Sequence, residues 1–140
     1  MIKLTSILLG LSCGLFAQGN YSVTHAGNGC GGADLTASFA NLGNHKQMNV
    51  LATGLFTREF GVVIFGDAPA AVALPNNCWV WTNLVTAHSF RSDTLGEWSF
   101  KFSWPLDNYA QFYIQVGTFR EVTNGVELKT SDCLHAQHTR

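Results

Sequence analysis

Trp79 and Trp81 stand two residues apart in the run Cys78 to Thr82, and that spacing is the most informative chemical feature of the chain. On a strand, successive side chains point to opposite faces, so the two indoles share one face while Cys78 and Val80 share the other. If Cys78 is bridged toward a core, both indoles point outward, and an exposed indole is a flat surface on which a sugar ring or a partner protein can stack. The run Ala110 to Val116 follows the same logic: with Phe112, Ile114 and Val116 turned inward, Tyr113 and Gln115 face out. Trp79, Trp81, Tyr113 and Gln115 are therefore the candidate ligand-binding set, an aromatic-plus-amide platform suited to a glycan. The weightier competing arrangement buries both indoles in the core and leaves Cys78 at an edge.

Other groupings promise less. Asp132, His135 and His138 carry ligand-type side chains, but a three-residue histidine spacing suits a helix, and this terminal stretch reads as a polar, frayed, solvated tail. His25, His45 and His88 are scattered singly, as structural histidines on strands are. Asp93, Glu97 and Asp107 are close enough in sequence to raise a hydrolase with a carboxylate pair. Asp93 and Asp107 sit among turn residues, however, and Glu97 belongs to the polar face of a strand. Beyond the stretch ending at Ala17 no Gly-x-Ser-x-Gly motif occurs and no His-Glu-x-x-His anywhere, and the glycines from Gly27 to Gly32 lack the lysine and following helix of a phosphate cradle. No catalytic residue, metal or cofactor is expected.

The elements that must position these residues are strands. Glu97 to Trp104 alternates polar and apolar without a break, the pattern of a strand with one buried and one wet face, and Pro105 ends it. Leu35, Ala37 and Phe39 alternate likewise, as do Met48, Val50 and Ala52. Gly61 to Gly66 is a continuous apolar run bounded by glycines, fitting a central strand. Strands are also expected over 78–82, 84–90, 110–116 and 126–130. Turn signals separate them, and Asn124-Gly125 between Val122 and Val126 predicts a hairpin whose two central residues have positive φ. No window carries a helical stripe. About eight short strands with turns every 8–12 residues predict an all-β fold, a two-sheet antiparallel sandwich or barrel.

Composition sets the class. The chain has 140 residues, 46% hydrophobic and only 12% charged, about half the usual charged share, with a formal net charge of −1. That excludes a disordered tail, a charged interaction arm and a charge-laced coiled coil, and nothing attracts nucleic acid. Met1-Ile2-Lys3, an uncharged apolar stretch to Ala17 and a polar turn at Gln18 have the layout of a secretory signal peptide, too short to span a bilayer. The expected organisation is a leader over 1–17 and one domain over 18–140, with its core over about 21–133. Lipid anchoring at Cys13 is a minor alternative. Cleavage removes Cys13 and leaves Cys30, Cys78 and Cys133 in an oxidising compartment, an odd count whose spacing allows three pairings and one leftover thiol.

The ordered motifs Gly27-Asn28-Gly29-Cys30-Gly31-Gly32, Phe65-Gly66, Leu74-Pro75 ahead of Cys78, Asp93-Thr94-Leu95-Gly96, Trp104-Pro105, Tyr113-Ile114-Gln115 and Thr130-Ser131-Asp132 resemble a small secreted β-domain recurring in planctomycete-type and related bacteria. The resemblance covers roughly residues 25–135. It implies a two-sheet β-sandwich with a disulfide between Cys30 and Cys78, which leaves Cys133 free, buried or paired with another molecule, and it implies no established activity. The reading that follows is a secreted, non-catalytic β-sandwich with a structural or interaction role at the cell surface or outside the cell, its partner a protein or a glycan. A carbohydrate-binding module is the first alternative and a hydrolase the second.

Overall fold

The computed structural model describes residues 20–105 and 110–139. The leader over 1–17, Cys13 within it and Asp107 lie outside the described residues.

The fold is all-β, and its sheets are antiparallel and packed together. The described residues form eleven strands: β1 (Asn20–His25), β2 (Asp34–Asn41), β3 (His45–Thr53), β4 (Phe60–Gly66), β5 (Pro69–Ala73), β6 (Trp79–Thr82), β7 (Thr86–Arg91), β8 (Trp98–Pro105), β9 (Ala110–Val122), β10 (Gly125–Thr130) and β11 (Leu134–Thr139). One sheet runs in the order β1-β11-β9-β4-β7, with β10 also pairing β9. A second has the order β2-β3-β8, and β5 and β6 form a separate two-stranded hairpin.

The two larger sheets bury a common core. Leu35, Met48, Val50 and Ala52 from one meet Val63, Ile114, Val116, Leu134 and Ala136 from the other. The alternation along β8 puts Trp98, Phe100, Phe102 and Trp104 on this face, each ring against the next at 4.8–5.8 Å. Phe65 and Phe112 reach across from the large sheet and meet that aromatic row edge-on, Phe65 at Phe100 (5.7 Å) and Phe112 at Phe102 (5.2 Å). Offset and edge-on ring pairs add to the burial itself, by about 1 kcal/mol each.

Four expectations need correction. The strands number more than eight, because β1, β5 and β11 carry weak patterns. In β11 the buried Leu134, Ala136 and His138 alternate with Gln and His, so the segment reads as polar. It is no frayed tail: it lies inside the large sheet, paired on one side with β1 and on the other with β9. The Asn124-Gly125 hairpin exists, but Val122 pairs Gly125, so Thr123 and Asn124 are its central residues. The positive φ falls on Gly125 (141°), the residue without a β-carbon, and on neither central residue. Lastly, Leu84 and Val85 form an exposed connection ahead of β7 instead of opening it.

Candidate functional site

The hairpin β5–β6 lies on the face of the large sheet that looks away from the core. Two strands alone are marginal in water and need another surface to hold them. Here the attachment is covalent and polar. Cys30, bridged to Thr130 on β10, forms the disulfide with Cys78 at the start of β6, Cα to Cα 5.3 Å. Gln115 projects from the outer face of β9 and acts as a neighbouring strand would. Its Oε1 accepts the Trp81 amide proton at 2.8 Å, and its Nε2 donates to the carbonyls of Trp79 (2.8 Å) and Ser131 (2.9 Å). At the far end Thr82 Oγ1 donates to the Ala68 carbonyl, and Asn83 Oδ1 accepts the amides of Asp67 and Ala68.

These anchors fix which way the tryptophans point. Cys78 and Thr82 are buried toward the sheet, so the alternate positions Trp79 and Trp81 face outward. The arrangement with both indoles in the core and Cys78 at an edge is overturned: Cys78 is buried by its bond to Cys30. The indoles stack on each other at 5.5 Å with 21° between planes. Trp81 is largely taken up by internal contacts. Its Nε1 donates to the Asn28 carbonyl at 2.8 Å, and the backbone of Gly27 lies so close that a β-carbon there would sit 2.3 Å from the ring. Gly27 also has φ +90°, which a side chain would strain. Trp79 keeps the free surface, at 38% exposure.

The other two members of the expected platform do not reach solvent. Alternation does turn Tyr113 and Gln115 away from Ile114 and the core, yet this face of β9 is covered. Gln115 is 1% exposed and spent on the hairpin. Tyr113 is 8% exposed and lies flat on His135, 4.3 Å between ring centres. The four residues therefore divide into two outward indoles and two buried supports.

The remaining candidates are structural. Asp93 Oδ1 accepts the amides of Leu95 (2.8 Å) and Glu97 (2.9 Å), which closes its own turn. His138 is buried, stacked on Tyr21 at 4.1 Å, and accepts the Trp104 Nε1 proton at 3.2 Å. Asp132 turns elsewhere: it pairs with His25 and accepts the Leu35 amide, tying β1 to the start of β2. His45 bonds its neighbour Asn44, and the exposed His88 meets Phe65 edge-on. Among the described residues no group of three His, Cys, Asp or Glu side chains comes together in a metal-ligating arrangement, and no helix is long and apolar enough to cross a membrane. Cys133 is fully buried and unpaired, and burial pushes its thiol up to about 11. A bridge from Cys133 to another chain, expected as a possibility, is closed to the folded molecule because the sulfur is out of reach.

One feature escaped the sequence. Between hairpin and sheet lies an apolar cavity floored by Val62, Ile64 and Gly117 and roofed by Leu74 and Val80. Its signal was present in the run from Gly61 to Gly66: a strand apolar on both faces in an antiparallel sheet needs a second cover. No protein-family model, curated protein or solved structure matches this chain.

Proposed function

We propose that the protein is an exported, non-catalytic recognition module that meets its partner through Trp79. The observation that carries this reading is the half-open indole on a strand fixed from beneath. Tryptophan brings a large contact area at little entropic cost, and contact energy concentrates on such residues. Trp81 stacks beside it and, bonded to Asn28, holds its neighbour in one orientation, so little is lost on ordering the contact. The leader-like start and the disulfide support export, since disulfides persist in oxidising compartments.

A glycan partner is favoured over a protein to one extent only: a single flat indole can stack on one sugar ring. The amide and phenol that would have bonded its hydroxyls are buried, so the contact is one ring wide and its affinity modest. The test is binding of the chain and of Trp79→Ala to a glycan array and to isolated cell envelopes. We expect at least a ~10-fold loss with Trp79→Ala, at an unchanged melting temperature. Undiminished binding by Trp79→Ala to any surface that retains the parent chain overturns the assignment.

A further inference from the structure

The cavity under the hairpin has a volume of about 140 Å³ and lies on a different face of β6 from Trp79. Every polar side chain that borders it is committed elsewhere. Gln115 holds the hairpin, Thr118 Oγ1 accepts the Phe56 amide, Thr130 Oγ1 meets the Cys30 sulfur, and Lys129 Nζ donates to the Gly54 carbonyl. Water needs two to four polar partners to settle in such a space, and almost none of the surface that lines it is polar. An apolar group needs none.

Gly117 gives an independent indication. It sits in the middle of β9, where glycine weakens a strand and has no side chain to pack. Neither backbone nor space requires it. Its φ is not in the left-handed region, and a β-carbon would meet nothing nearer than 3.5 Å. The residue forgoes strand stability, and what it provides is an open floor. The cavity also has a mouth: Phe119, on its wall, is 42% exposed, and Val72, paired with Val80 and so on the same side of the hairpin, is 54% exposed.

We infer that this cavity is a binding site for the apolar end of a small amphiphile, one aromatic ring or an aliphatic chain of about six carbons, with the polar end left at the mouth. The size follows from volume, since a dry apolar cavity of roughly 150 Å³ takes up a benzene ring. A free small molecule fits better than a polypeptide segment. The roof is held at one end by the disulfide and along β6 by Gln115, so it cannot lift to admit a backbone, and what enters is narrow.

The test is amide chemical-shift mapping of the labelled protein with butanoate, hexanoate, octanoate and decanoate, and with benzyl alcohol. We expect shifts confined to β4, β6, β9 and β10. Affinity should rise with chain length to about hexanoate and then level off, as further carbons remain outside. Gly117→Val should weaken the probes at least ~10-fold while the melting temperature holds or rises. Should that variant misfold, Val80→Phe fills the roof and is expected to give the same loss. Absence of any shift at millimolar probe, shifts on another face, or undiminished binding in the filled variant would each overturn the site. So would a response only to apolar peptides and to none of the free probes. Trp79→Ala should bind these probes normally, so this site and the Trp79 contact can fail separately.

Discussion

The two faces of the large sheet are covered in different ways. On the inner face, Val63, Ile114, Val116, Leu134 and Ala136 meet the second sheet through continuous apolar contact and a row of edge-on aromatic rings. On the outer face, the cover is a two-stranded hairpin held to the sheet by a disulfide and one buried glutamine, its own open end closed by hydrogen bonds between Thr82 and Asn83 and the loop ahead of β5. Close packing needs no clamps, because dispersion and burial act over the whole contact. A small layer that leaves a cavity beneath it cannot rely on either, and its geometry is imposed by discrete bonds. The core therefore specifies the fold, and the clamped layer holds the surfaces that nothing in the fold itself requires: an outward indole and a hollow.

The largest test of that contrast is the disulfide. Replacing Cys30 and Cys78 together by Ser frees a loop of 48 residues, which the chain-entropy account puts at about 4 kcal/mol. Urea denaturation should register that loss. Hydrogen exchange should locate it, with the Trp81 amide far less protected while the Ile114 amide keeps most of its protection relative to global stability. Equal loss at both amides would mean that the hairpin is part of the core and that the contrast is false.

Gln115 comes next. Gln115→Leu keeps roughly the volume and strands the Trp81 amide and the carbonyls of Trp79 and Ser131, an expected cost of about 3 kcal/mol. Because Gln115 fixes β6 without touching the sandwich core, the same substitution should also redden and broaden the emission of the outward tryptophans. A cost under about 1 kcal/mol would show that packing, and not the amide, seats the hairpin.

The same division explains what was legible in the residues. β8 announced itself because one face is buried and the other wet, so polar and apolar alternate strictly from Trp98 to Trp104. β11 did not, because the positions between its buried residues carry His and Gln and one buried position is itself His138. The hairpin was half visible. Trp79 and Trp81 were correctly placed on one side of their strand by alternation, but the Ala-rich β5 has no pattern, so the layer had no second strand. Tyr113 and Gln115 failed for a related reason. Period 2 tells which residues share a face and not whether another layer covers that face, and an amide that clamps a backbone looks in sequence like one that meets water.

The smallest effect concerns Cys133 and tests the permanence of the packed side. Burial raises its folded-state pKa to about 11, from an ordinary value of 9.0. A raised pKa means the folded chain holds the thiol proton more tightly than the unfolded chain. The linked stability is whole below about pH 9 and is lost as pH climbs through about 11, a change on the order of 2 kcal/mol. Comparison of the parent with Cys133→Ala isolates this from other alkaline titrations: the parent should lose more stability over that window, and the variant should run flatter. Alkylation followed by peptide mapping gives the kinetic counterpart. If the hairpin side opens locally while the packed interior does not, Cys133 should resist labelling at neutral pH in the Cys30/Cys78 double-serine variant as it does in the parent, and react only as the whole chain unfolds. Labelling at the rate of hairpin exchange would place the thiol within the clamped layer's opening unit and move the boundary between the two regions.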